Sequence, residues 1–170
     1  MIQDVTYLFY HTQLLILNNK VHTQHKRSFY SRMKKVKGND WWLFFKAVYW
    51  TGIARILIVF IPLKRFAFIL GSHMKETPEA SASEYLELLQ AVELAISRAS
   101  RYVPWRCKCY EQAISAKIIL RGFGIETTLY YGVAKDQEQK LIAHAWVRCG
   151  DYIVTGRLGM KRFTVVGTFA

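Results

Sequence analysis

The thirty residues from Trp41 to Leu70, WWLFFKAVYWTGIARILIVFIPLKRFAFIL, constrain this chain more than any other segment. So apolar a run has to be withdrawn from water somewhere. Lys46, Arg55, Lys64 and Arg65 cut it into short pieces, and Pro62 breaks it again. A spanning helix wants about 20 mostly apolar residues, and an Arg near its centre costs about 2.5–3.5 kcal/mol of insertion free energy. The run therefore reads as a buried amphipathic helix over 41–61, closed by Pro62. A second, short helix over 63–70 follows, with Gly71 as its C-cap. Contact of 41–70 with a membrane surface is the alternative.

Before this run the chain is polar and basic. Lys20, Lys26, Arg27, Arg32, Lys34, Lys35 and Lys37 lead to Gly38-Asn39, so a loosely ordered charged segment is expected over 1–40. The whole chain has 24 Lys+Arg against 12 acids, a net charge of +12. Such a balance suits nucleic acid, an anionic membrane or an acidic ligand, and it is equally a plain solubility feature. Its 170 residues, 52% hydrophobic, are enough for one domain with a core and rule out a wholly disordered chain. Three Cys are too few for a disulfide scaffold, and an odd count suits a reducing compartment. Residues 1–19 carry apolar patches but are interrupted by Asp4 and His11. No charged start or small-residue cleavage site accompanies them, so no export signal is read and a cytoplasmic location is expected.

Beyond Gly71, Thr77-Pro78-Glu79 has the form of a helix start, with Ser81 and Glu84 as an overlapping capping box. Tyr85, Leu88, Leu89, Val92, Ile96 and Ala99 recur at helical spacing, which predicts one helix to about Tyr102, stopped by Pro104. The pattern then changes. CYEQAISAKIILR, 109–121, reads as a mostly buried helix ended by Gly122 and Gly124. ETTLYYGVA, LIAHAWVR, YIVTG and RFTVVGTF read as strands, with KDQEQK as a turn and Gly150-Asp151 as a tight hairpin. Helices followed by one helix on an antiparallel sheet make an α+β fold, with a helical region over 41–104 and a core over 105–170.

The chemistry-bearing candidates are Cys107, Cys109, His144 and Cys149. Cys109 falls where the helix starts, and the partial positive charge there favours thiolate. Amides of the same helix end can stabilise an oxyanion. His144 lies mid-strand on the face of Ile142 and Trp146, so only a fold can bring it to Cys109. A nucleophile on a helix and a base on a facing strand make Cys–His catalysis possible. The bland reading is an inert buried Cys and a core His. A zinc site is disfavoured, because Cys-x-Cys and His-x4-Cys are not the usual ligand spacings. No P-loop or dinucleotide fingerprint is present, and no cofactor or metal is implied.

The segment VPWRCKCYEQAISAKIILRGFGIETTLYYGVAKD, with LIAHAWVRCGDYIVTG after it, resembles the leader peptidases of lasso peptide biosynthesis, the transglutaminase-like B proteins. The resemblance rests on Pro104-Trp105, Cys109, Gly124-Ile125, Gly132-Val133 and Ala143-His144-Ala145-Trp146-Val147, and it extends over about 41–170. It implies a papain-like, transglutaminase-like core, with Cys109 as nucleophile and His144 as base. Counting back from Gly124-Ile125 selects Cys109 over Cys107. The implied substrate is a ribosomally made precursor peptide. The implied partners are a separate leader-binding protein and an ATP-dependent cyclase that acts afterwards. Nucleic acid is not among them. The rivals are a catalytically inactive binding module of the same fold, for a peptide, nucleic acid or membrane surface, and acyl transfer to an amine.

The family orients its His with an acid on the next strand. Asp151 is the only acid there, and it lies at the hairpin tip. A two-residue Gly150-Asp151 turn sets His144 against Arg157 and Trp146 against Thr155. Asp151 then lies roughly 20 Å from the imidazole. Thr155 is expected on the His144 face as the third catalytic member, with a backbone carbonyl as the other possibility.

Overall fold

The computed structural model describes residues 38–79 and 81–170. The basic segment expected over 1–40 lies outside the described residues as far as residue 37. Helix α1 spans Gly38–Phe60 and α2 spans Leu63–Leu70, separated at Pro62 as the sequence requires. Leu43, Ala47, Thr51, Ala54 and Ile58 recur at helical spacing and are buried against two later helices, α3 (Leu86–Tyr102) and α4 (Cys109–Arg121). The face of α1 turned the other way is not polar. Every exposed residue from Trp41 to Phe60 is a large hydrophobe, so the expected amphipathic helix is instead apolar on both faces.

The helix expected to begin at Thr77 does not start there. A short 3-10 turn over Ser83–Tyr85 leads into α3. The Thr77 amide and hydroxyl both bond the Thr128 hydroxyl at 2.8 Å, and Arg148 donates to the Thr77 carbonyl at 2.9 Å. Those long-range partners outcompete a local cap. Residues 72–74 instead run beside the last strand, with Met74 N donating to the Thr168 carbonyl. The other end of α3 is as expected, at Tyr102 just before Val103-Pro104.

Helix α4 lies between α1, α3 and the sheet, and nine of its thirteen residues are buried. The sheet is antiparallel with order β3-β2-β1-β4, where β1 is Thr128–Lys135, β2 Leu141–Cys149, β3 Tyr152–Thr155 and β4 Thr164–Phe169. Leu129, Tyr131, Ala145, Val147 and Phe169 line its inner face and join the core with α4. Tyr130, His144 and Trp146 occupy the outer face, with the Tyr130 and Trp146 rings stacked at 5.3 Å. Gly132, opposite His144, leaves room there: a Cβ on it would lie 2.8 Å from Phe163 Cβ and 2.9 Å from the Trp146 ring. Four helices and a four-stranded antiparallel sheet among the described residues make the fold α+β, as the sequence indicates.

Candidate active site

Cys109 is the first residue of α4, and Lys108 is its N-cap. The start is fixed by Glu111, whose carboxylate accepts from the Lys108 amide at 3.0 Å. Its other oxygen takes Arg55 of α1 at 3.1 Å, and the Glu111 side chain is fully buried. An ion pair thus ties the first turn of α4 to α1 two residues from the thiol. Trp105 packs against Gly52 of α1 from the same side, its ring 3.2 Å from where a Cβ would stand. The chain leading into α4 is therefore clamped on α1.

The Cys109 sulfur meets β2. The backbone of Ala145, next in the chain to His144, lies close to it, as do the amides of Tyr110 and of Cys109 itself. These contacts favour thiolate, as expected for a helix N-terminus, yet the net direction is opposite. Burial pushes the Cys109 thiol above its ordinary value and Glu111 adds to this. In the resting chain the protonated thiol is therefore favoured. Cys107 is a poorer candidate: it is buried, and desolvation pushes its thiol up to about 12 despite a hydrogen bond with Thr51.

His144 is half-buried on the outer face, its ring 5.0 Å from that of Phe163 and 5.9 Å from that of Trp146. Its Nε2 lies 2.8 Å from the Gly156 carbonyl oxygen. A carbonyl can only accept, so Nε2 carries the proton, and in the neutral imidazole Nδ1 is left as the base. Burial lowers the imidazole below its usual value. The Gly156 carbonyl opposes that shift and Arg162 reinforces it. The resting chain thus favours an uncharged thiol on α4 and an uncharged imidazole on β2, the protonation states from which attack with proton transfer to a base can start.

Thr155 is not the group that orients the imidazole. The hairpin begins in the expected register, Cys149 against Tyr152 and Arg148 against Ile153, but a bulge then sets Thr155 against Val147. Val154 is the extra residue, so Thr155 moves to the inner face, away from His144. Its Oγ1 is buried and has no hydrogen-bond partner. Asp151 is also elsewhere, with its carboxylate accepting from the Ala82 amide at 2.9 Å. Of the alternatives weighed from the sequence, the structure has the backbone carbonyl, at Gly156.

Gly156 was not picked out by sequence reasoning, although it closes the YIVTG strand. It has φ +75, and a Cβ there would fall 2.4 Å from the Ala145 carbonyl and 2.7 Å from Trp146 Cβ. Only glycine can turn the chain this close to β2. The Arg55–Glu111 pair was missed as well. Its one signal was an acid two residues after Cys109 in a helix that reads as mostly buried. Among the described residues no group of three or more His, Cys, Asp or Glu is gathered to hold a metal ion.

A helix-borne thiol brought to a His-bearing strand of an antiparallel sheet is the architecture of a thiol acyl-transfer fold. The profile of the transglutaminase-like superfamily matches residues 57–168, and the chain belongs to that superfamily, which includes cysteine proteases. No curated protein and no solved structure matches it.

Proposed function

We propose that this protein is a cysteine peptidase that removes the leader from a ribosomally made lasso precursor peptide before macrocyclisation. The observation that carries the reading is the pairing of two features at one point on β2. Helix α4, which Cys109 opens, packs on β2 with the sulfur near the Ala145 backbone, and the adjacent His144 has its Nε2 proton on the Gly156 carbonyl. The superfamily match and the motifs from Pro104-Trp105 to Ala143-His144-Ala145-Trp146-Val147 support it.

Cys109 Sγ attacks the scissile carbonyl carbon as its proton passes to His144 Nδ1. The amides at the start of α4 stabilise the oxyanion. The imidazolium gives its proton to the leaving amine, the C–N bond breaks, and the leader remains as a thioester. Water, deprotonated by His144, hydrolyses the thioester and restores the thiol. The freed amine of the core peptide is then the substrate for a separate ATP-dependent cyclase. A leader-binding protein presents the precursor, and the reaction runs in the cytoplasm.

A non-catalytic peptide-binding module of the same fold is the second reading, and the raised thiol of Cys109 favours it. Incubation with precursor peptide and leader-binding protein, followed by mass spectrometry, separates the two. Release of a leader-sized fragment by the wild-type chain, absent with Cys109→Ala, is the expected result. Intact precursor with every cognate pair tried, under conditions where it binds, would leave the binding module.

A further inference from the structure

The outer face of α1 has no business in water. Trp42, Phe45, Tyr49, Ile56 and Phe60 are 52% to 76% exposed. They project opposite the buried stripe of Leu43, Ala47, Ala54 and Ile58. The two charges within Trp41–Phe60 do not interrupt the face. Arg55 is turned to Glu111, and Lys46 lies over the rings of Trp42 and Phe123 at 5.1 and 4.7 Å. Phe68 of α2, 75% exposed, is followed back along the chain by exposed Lys64 and Arg65. A contiguous apolar face of this kind marks a docking surface.

Charge selects the occupant. Residues 20–75 hold twelve Lys and Arg and a single acid, Asp40, so this third of the chain carries almost all of the net +12. Six of those cations, Lys26, Arg27, Arg32, Lys34, Lys35 and Lys37, come immediately before α1 in the sequence. A second copy would bring the same sign of charge to the same face and be repelled. An anionic lipid surface offers both what the face lacks: apolar depth for the aromatic rings and phosphate charge for the flanking cations. Trp and Tyr suit the headgroup boundary in particular. Trp41–Phe60 is also long and apolar enough to cross a membrane, but its inner stripe is packed against α3 and α4, so one face only is available to lipid.

We infer that α1, with the exposed end of α2, docks this protein onto an anionic lipid bilayer, lying in its surface with Trp42, Phe45, Tyr49, Ile56 and Phe60 in the headgroup region. The inference is independent of the chemistry at Cys109.

The test is flotation of the full-length chain with vesicles. Wild type should float with phosphatidylglycerol-rich vesicles and remain largely behind with pure phosphatidylcholine. Raising salt from about 0.1 M to about 1 M, which shortens the screening length from about 10 Å to about 3 Å, should weaken binding. Phe45→Ser/Tyr49→Ser/Ile56→Ser/Phe60→Ser should lower vesicle partition by about tenfold or more with an unchanged melting temperature. The single variant Phe60→Ser, at the most exposed site, should show a smaller loss in the same direction. Lys34→Gln/Lys35→Gln/Lys37→Gln should remove the preference for anionic lipid. Failure of wild type to float overturns the inference. So does equal flotation of the four-residue variant, or a stable wild-type dimer in sedimentation that this variant dissolves without any vesicle binding.

Discussion

The two faces of the sheet are built on different principles, and the candidate site lies where they meet. The inner face is apolar packing. Leu129, Tyr131, Ala145, Val147 and Phe169 sit against α4, each supported by several neighbours. The outer face is held by a few polar contacts to a distant segment. Arg148 reaches Tyr130 at 2.8 Å, Glu76 at 3.3 Å and the Thr77 carbonyl at 2.9 Å, and Tyr130 donates to Glu76 at 2.6 Å. Packing of the first kind tolerates change through its redundancy, whereas single deletions in the second leave a partner unsatisfied. Cys109 belongs to the inner side and His144 to the outer. The edge of β2 beyond the end of β3 joins them, through the Ala145 backbone and Gly156.

The largest expected effect comes from the inner partner of that junction. Cys109→Ala should lower cleavage by about a thousandfold or more while the fold is kept. Cys107→Ser, two residues earlier and facing Thr51, should keep most activity in the same assay. Equal losses from both would break the assignment of the sulfur to β2.

Next is the clamp behind the thiol. Glu111→Ala leaves Arg55, still 27% exposed to solvent, beside an apolar gap and removes the acceptor of the Lys108 amide, a loss of about 1–3 kcal/mol. Urea unfolding checks this, and Arg55→Met/Glu111→Met should recover much of the loss. If the double variant is no better than Glu111→Ala, the loss comes from the Lys108 cap and not from an uncompensated charge.

Gly156→Ala tests the outer partner. The added methyl would collide with the Ala145 carbonyl and displace the oxygen that holds Nε2. Cleavage should fall by roughly 10- to 100-fold. The pH dependence has a definite sign. In the proposed mechanism the working imidazole is neutral, so activity should be lost as pH falls through its folded pKa, which burial places below the usual value of about 6.5. The Gly156 carbonyl raises that pKa, so without it the acid limb should move to still lower pH. A limb that stays put, or an NMR titration of His144 unchanged in the variant, would separate the carbonyl from the imidazole.

What could be read from the sequence follows the same division. α4 and the four strands were legible because their burial imposes periods of 3.6 and 2 on residues close together in the chain. Cys109 at the start of its helix and the Gly150-Asp151 turn were legible for the same local reason. The start of α3 was not, because Thr77 answers to Thr128 and Arg148, 51 and 71 residues away, instead of to its own neighbours. The outer face of α1 was misread too. Low charge over 41–61 reads as burial or as contact with a membrane surface, and hydrophobicity alone does not say which neighbour covers each face.

The smallest effect concerns Thr155, and its sign is the informative part. A two-residue hairpin counted without interruption sets Thr155 beside His144, where loss of the hydroxyl would slow cleavage. The bulge at Val154 sets it against Val147 instead, with Oγ1 buried and unpartnered. A buried hydroxyl without a hydrogen bond is a liability, and an apolar group of the same shape removes it. Thr155→Val should therefore leave the cleavage rate unchanged and stabilise the chain by up to about 1 kcal/mol. Asp151→Ala makes the contrast. It should spare the rate too, but cost about 1 kcal/mol, because the Ala82 amide loses its acceptor. Kinetics and urea melts on the two variants, side by side, read the register of the hairpin. A slowed Thr155→Val variant of unchanged stability would return the hydroxyl to the imidazole and remove the bulge from the account of the site.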